Sequence, residues 1–412
     1  MIKLLELHIQ GFKDSQREIL INFSNEPISV IYGENGSGKT TLLKIIHAIL
    51  NKDANVLIQE NVKKITLKFQ SNKEIKSANI EVDKEKVNWG NIKSLYNSTS
   101  ILFGVNRGMI LPNNEFLSRN LRPLLNEFRF RLRRFNMERI EYDLFRELDM
   151  LLDRALFESG EYSQETSIIS DKKHIAAESI QIRDIEKAII QQFKNGEIAA
   201  SEKVKNAFFN TVAKAVDIEL EKEKKYDLPK DFWERFDKKR DFLLKVMKSL
   251  DNSQLQKNVI TLLEKGEKTN ILESKIFKAL LVNILEKAEE DNIELIAINK
   301  LIEIFNSRLY RNKKLVVTAK KTYIDLGYKN EHDLDKLSSG ERHLLSFLTL
   351  FLIIGKGRNF FLIDEPEISL NMIWQRELLP LLNKLSPQSQ IIVATHSPSI
   401  SEQNTNYLVE LI

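Results

Sequence analysis

The spacing of apolar and polar positions changes character twice along the chain. From residue 1 to about 112 the apolar runs are short and separated by turns. Leu5-Glu6-Leu7-His8-Ile9 and Glu18-Ile19-Leu20-Ile21-Asn22-Phe23 alternate, as strands with one buried face do. Ile28-Ser29-Val30-Ile31-Tyr32 is a compact run that predicts a buried strand, and Ser100 to Val105 predicts another. Ile65 to Phe69 and Ala78 to Val82 predict a half-exposed antiparallel pair.

From about 113 to 315 Pro and Gly almost vanish, and apolar residues recur at three- and four-residue spacing. Leu144, Leu148, Leu151, Leu152 and Ala155 make one stripe, Ile175 to Phe193 a second, and Leu281, Ile284, Leu285 and Ala288 a third. This period predicts helices, without the sustained strict heptads of a long coiled coil. From about 316 the α/β pattern returns. Lys314 to Thr318 and Thr322 to Leu326 predict a hairpin. A helix follows Gly340, then a strand Phe360 to Ile363, a helix near Trp374 and an inner strand Gln390 to Ala394. The economical organisation is one α/β domain in two halves, 1–112 and 316–412, split by a helical insertion at 113–315.

A chain of 412 residues has room for two to three domains of ~150 residues, so a split domain with a large insertion fits. Lys plus Arg number 62 and Asp plus Glu 58, for a net charge of +4. That balance excludes a globally basic nucleic-acid coat and an acidic solvating tail, but leaves room for a local basic patch. The chain has no cysteine, which excludes disulfides, zinc knuckles and thiol catalysis. The longest apolar run, Phe347 to Ile354, is far short of the ~20 residues that span a bilayer. The first residues lack a signal-peptide pattern. A cytoplasmic chain with no membrane partner is expected.

Gly33-Glu34-Asn35-Gly36-Ser37-Gly38-Lys39-Thr40 fits the phosphate-loop pattern G-x-x-x-x-G-K-[ST], between a buried strand and an apolar helix beginning near Thr41. In such a loop the N–H groups of Asn35 to Thr41 and the helix N-terminus face phosphates. Lys39 would reach the β- and γ-phosphates, and Thr40 would ligate Mg²⁺. Phe360-Phe361-Leu362-Ile363-Asp364-Glu365 is an apolar strand ending in two acids. Asp364 suits the Mg²⁺ shell, and Glu365 suits polarisation of an attacking water. Leu337-Ser338-Ser339-Gly340-Glu341 precedes an apolar helix, where Ser also serves as an ordinary N-cap. Thr395-His396-Ser397 follows the last inner strand, where a lone histidine is more often structural.

Together these segments resemble the ABC-type ATPase head: an α/β P-loop domain, here split by a large helical insertion. Gly33–Thr40 resembles the Walker A loop and Leu337–Glu341 the signature, with Ser339 where transporters usually carry Gly. Asp364 and Glu365 resemble Walker B and its catalytic glutamate. Ile368 to Asn371 resembles the D-loop, with Asn371 where many relatives have His. His396 resembles the switch histidine. The resemblance implies ATP and Mg²⁺ as cofactors, with Glu365 and His396 as catalytic residues. It also implies a homodimer or higher homo-oligomer in which Ser338, Ser339 and Gly340 cap ATP held by another subunit. No Gln-loop stands near 100–106; Asn106 and Arg107 occupy that place, Arg107 being either a lid contact or a surface residue.

The insertion is too large for a transporter subunit and short for a chromosome-maintenance ATPase. The layout resembles the compact OLD and RecF-like group, and only sixteen residues follow His396, too few for the nuclease domain many relatives carry there. It is similar to stand-alone anti-phage ATPases such as AriA of PARIS or PtuA of Septu. That likeness implies an ATP-driven sensor or scaffold holding a separate effector, a nuclease or toxin. The alternative is a DNA repair or recombination ATPase that clamps DNA directly. Arg119, Arg122, Arg129, Arg131, Arg133, Arg134 and Arg139, interleaved with Phe128, Phe130 and Phe135, form either a phosphate-tracking or acidic-partner surface or an amphipathic helix paired with Glu115, Glu127, Glu138 and Glu141. Asp217 to Lys225 reads as a solvated helix face.

Overall fold

The computed structural model describes residues 2–83, 86–104, 172–177, 181–216, 228–250, 254–265, 275–290, 292–310, 312–328, 330–402 and 404–411. The Leu144 to Ala155 stripe, Asn106, Arg107, the arginine cluster and the charge run Asp217 to Lys225 lie outside these residues. The chain forms two compact units, Met1–Ala188 with His332–Ile412, and Ile189–Glu331.

The first unit holds two sheets and a helix that shares its core with both. The antiparallel sheet is built from β1 (Ile2–Phe12), β2 (Asp14–Asn22), β4 (Lys64–Ser71), β5 (Glu74–Val82) and β6 (Val87–Asn88), in the order β2-β1-β4-β5-β6. Its register lines up apolar partners: Leu7 faces Leu67, Ile9 faces Ile65, and Ile65 faces Ile80. Alternation therefore gives one apolar face, as the expected pair 65–69 and 78–82 requires.

The second sheet is parallel, and its central strands are buried. Its strands are β3 (Ile28–Tyr32), β7 (Ser100–Phe103), β8 (His174–Ala177), β12 (Phe360–Asp364), β13 (Gln390–Ala394) and β14 (Leu408–Glu410), in the order β14-β3-β13-β12-β7-β8. All five residues of β12 and of β13 are buried, which is why these strands read as continuous apolar runs rather than alternating ones. Helix α1 (Lys39–Asn51) buries ten of its residues. Its Leu42, Leu43, Ile45, Ile46 and Ile49 share one core with Leu7, Ile65 and Phe69 of the antiparallel sheet and with Phe360, Leu362 and Ile392 of the parallel one. The buried Gln390 side chain ties the sheets by accepting from Leu4 N at 2.7 Å and donating to Leu4 O at 2.9 Å.

Strand β8 departs from the helical reading of Ile175 to Phe193. His174–Ala177 pairs in parallel with β7, and the helix (α4, Ile182–Val216) starts five residues later. Four residues are too few to distinguish strand from helix by period. Arg358 secures this edge by donating to the carbonyls of Ser100 at 3.2 Å and Lys173 at 2.8 Å.

The second unit is mainly helical. Its helices include α5 (Phe232–Lys248), α6 (Gln254–Lys265), α7 (Lys275–Glu289) and α8 (Ile293–Asn306), followed by the hairpin β9 (Lys314–Val317) and β10 (Thr322–Gly327). The predicted stripe Leu281, Ile284, Leu285 and Ala288 lies in α7 and is buried among Phe208, Phe232, Phe236 and Leu243.

Candidate functional site

The parallel sheet itself assembles the site. Strands β3, β13 and β12 are neighbours pointing the same way, and Ala394 is in register with both Ile31 and Asp364. Their C-terminal ends therefore open on one edge, where ligands bind in open α/β sheets. The loop Gly33–Gly38 leaves β3 there, Asp364 and Glu365 leave β12, and Thr395–His396 leaves β13.

The loop residues Asn35, Gly36, Ser37 and Gly38 run straight into α1, whose first turn holds Lys39, Thr40 and Thr41. Gly38 caps α1 with φ of 103°, and a Cβ there would lie 2.5 Å from Phe12 Cε1. Glycine is required on both counts. Lys39 is buried and donates to Gly33 O at 2.9 Å and Glu34 O at 3.0 Å. Burial lowers its pKa, and the negative charges of Glu365, Asp364 and Glu367 oppose that shift. The Lys39 ammonium thus faces the negative charge of three carboxylates, an excess that a bound divalent cation would offset.

Thr40 Oγ1 donates to Asp364 Oδ2 at 2.8 Å, and Asp364 is fully buried at the end of β12. This hydroxyl–carboxylate pair is a hard oxygen donor set. It fits Mg²⁺, which is held by one or two carboxylates and substrate phosphates rather than by an all-protein cage. Thr40 and Asp364 would hold the ion, whose chemistry is to neutralise charge on the phosphates. Glu365 has φ of 45°, a left-handed backbone that costs a non-glycine residue ~1–2 kcal/mol. Its N–H donates to Ala394 O at 2.7 Å, which holds the turn in place. The side chain lies 3.1 Å from His396 Nε2 through Oε1. A carboxylate and an imidazole in contact at a sheet edge form an acid–base pair suited to orienting a water.

Lys39, Thr40, Asp364, Glu365 and His396 thus come together. Ser338, Ser339 and Gly340 do not join them: among the described residues no hydrogen bond links these three to Gly33–Thr40. They begin helix α9 (Ser339–Thr349), with Ser338 as N-cap in a capping box with Glu341. Ser338 N donates to Glu341 Oε2 at 2.8 Å, and Glu341 N to Ser338 Oγ at 3.3 Å. The start of α9 packs on the segment after Glu365. His343 Nδ1 lies 2.7 Å from Ile368 O, and a Cβ on Gly340 would lie 2.9 Å from Ser369 O. Asn371 caps helix α10 (Met372–Leu385) by accepting from Trp374 N at 2.9 Å.

Glu367 is a member of the site that only the fold brings forward. Its Oε1 accepts from Thr395 Oγ1 at 2.6 Å, His396 N at 2.9 Å and Ser397 N at 3.1 Å. The available signal was a third acid two residues past Glu365, behind Pro366. Gln375 is another such member of the site. It accepts from Ser397 Oγ at 2.9 Å and donates to Leu370 O at 2.9 Å.

No helix among the described residues is long and apolar enough to cross a membrane. The family model described as "AAA domain, putative AbiEii toxin, Type IV TA system" (AAA_21) matches residues 28–402. Solved structures with some likeness include the Smc head domain with an extended coiled coil, bound to the C-terminal domain of ScpA, from Pyrococcus furiosus. It is 13% identical with a TM-score of 0.42, over 100% of this chain and 96% of that one. The SMC head domain from Thermotoga maritima is 12% identical with a TM-score of 0.40, over 99% and 97%. The α/β fold class follows from the sheet order β14-β3-β13-β12-β7-β8.

Proposed function

The chain belongs to the AAA_21 family, and from that premise we propose that it binds ATP with Mg²⁺ and hydrolyses it at the C-terminal edge of the parallel sheet. The observation that carries this is the convergence there of two pairs, Thr40 with Asp364 and Glu365 with His396. Asn35 to Thr41 hold the phosphates, with Lys39 as the cation on them. Thr40 and Asp364 hold Mg²⁺, Glu365 orients the attacking water, and His396 contacts the γ-phosphate side of the site. Ser338, Ser339 and Gly340, bonded to no part of their own phosphate loop, serve the ATP of a second copy, so the active form is a homodimer or larger. Mixing inactive Lys39→Ala and Ser338→Arg proteins would then partly restore turnover, because the mixed dimer keeps one intact composite site.

We further infer that this cycle holds or gates a separate effector in anti-phage defence. A family described through a putative toxin of toxin–antitoxin systems supports that setting. The 113–315 insertion is the proposed effector-binding part. The test is co-purification of the chain with the product of the adjacent gene, alongside DNA binding across salt with ATP and the Glu365→Gln protein. Stable co-purification, lost when part of 113–315 is deleted from a head that stays folded, supports the scaffold. Tight DNA binding that falls by orders of magnitude between ~50 and ~200 mM salt, with no co-purifying protein, would support direct DNA clamping instead.

A further inference from the structure

Resting on the hydrolytic reading of Glu365 and His396, we propose that Glu367 is a positioning residue whose carboxylate clamps residues 395–397 and so aims the His396 ring at Glu365. Three donors from three consecutive residues converge on one oxygen: the Thr395 hydroxyl at 2.6 Å and the N–H groups of His396 and Ser397 at 2.9 and 3.1 Å. Bonds from backbone N–H groups to an ionised acceptor are the short, strong kind. They fix the course of the chain as it leaves β13.

The clamp matters because the ring has little else to steer it. The His396 side chain is 38% exposed, and its one hydrogen-bonding contact among the described residues is Glu365 Oε1 at 3.1 Å. Its direction is set through its own backbone more than by surrounding side chains. Glu367 is itself anchored. Its carbonyl accepts from Gln375 Nε2 at 3.3 Å, and Gln375 Oε1 accepts from Ser397 Oγ at 2.9 Å, closing a second link between the same two segments. The segment that carries Glu367 also carries Ile368 and Ser369, on which α9 starts. The carboxylate's charge is felt at Lys39, but its hydrogen bonds go to residues 395–397 and not to the His396 ring. Its positioning effect on hydrolysis passes through His396.

Double-mutant kinetics on the full chain separate this role from simple structural support. Glu367→Ala is expected to lower kcat by up to ~10²-fold, the cost of a misplaced catalytic group, while KM for ATP stays within about twofold. Glu367→Gln keeps an oxygen able to accept the same three bonds and should retain most of the rate. In a His396→Ala background, Glu367→Ala should cost no more than about a further twofold, because residues acting through one another are not additive. Thr395→Val removes one of the three bonds and should show the same non-additivity at smaller size, which keeps the test open if Glu367→Ala does not fold. Wild-type kcat in Glu367→Ala, or a loss in the His396→Ala background equal to that in the wild type, would overturn the positioning role alone. Wild-type turnover by His396→Ala would instead bring down the hydrolytic reading, and this inference with it.

Discussion

Thr40 and Asp364, 324 positions apart in the chain, share a hydrogen bond of 2.8 Å from Oγ1 to Oδ2. The bond joins the first turn of α1 to the end of β12, and parallel pairing through β13 puts those two points side by side. In the proposed magnesium site this oxygen pair would supply part of the shell, with phosphate oxygens and waters supplying the rest.

Thr40→Ala should therefore raise the Mg²⁺ concentration needed for half-maximal ATP turnover, by about 10–100-fold on the scale of disturbed metal sites. Thr40→Ser, which keeps the hydroxyl, should stay close to wild type. Magnesium titration of turnover checks both, and an unchanged requirement in Thr40→Ala would remove the residue from the site.

Gly340 predicts a stability effect with a defined cause. A Cβ there would stand 2.9 Å from Ser369 O, and Ser369 already has φ of 67°. Gly340→Ala should cost about 1–3 kcal/mol, the usual penalty for overpacking, read from the urea midpoint. An unchanged midpoint would mean that α9 and the 368–371 segment yield freely to each other.

His47 predicts a pH effect. It is buried on α1, and desolvation pushes its pKa from 6.5 down to about 4, helped by His174, whose ring centroid lies 6.4 Å away. Asp53 and the Ile175 backbone oppose the shift. His174 is lowered too, mainly by burial. Between these values the unfolded chain binds more protons than the folded one, so stability rises with pH. It is complete above about pH 6.5 and falls toward pH 4, by about 3 kcal/mol from His47 alone. His47→Gln should flatten this slope in denaturation midpoints taken at pH 5 and 7.5, and an undiminished slope would place the cause elsewhere.

The sequence made the centre of the parallel sheet legible because burial on both faces leaves a simple mark. Ile28–Tyr32, Phe360–Asp364 and Gln390–Ala394 are apolar runs between turns, and they are strands. Lys39 and Thr40 were marked by the phosphate-loop pattern, and Asp364, Glu365 and His396 by standing at or just after such runs together with the resemblance to an ATPase head. His174–Ala177 was not, since its partner β7 lies far away in sequence and four residues carry no period of their own. Glu367 was hidden for a related reason. Its three donors sit beyond β13, and only the register of β12 against β13 brings them to it.

The most direct test of the account is ATP hydrolysis by the purified full chain, wild type beside Glu365→Gln and Lys39→Ala, with nucleotide affinity measured on the same samples. The account predicts turnover by the wild type. In Glu365→Gln turnover should fall by ~10²–10⁴-fold with affinity retained, the loss expected for a positioned base. In Lys39→Ala affinity itself should fall, because the Lys39 ammonium that faces the site's carboxylates is lost. A Glu365→Gln protein that turns ATP over at the wild-type rate would contradict it.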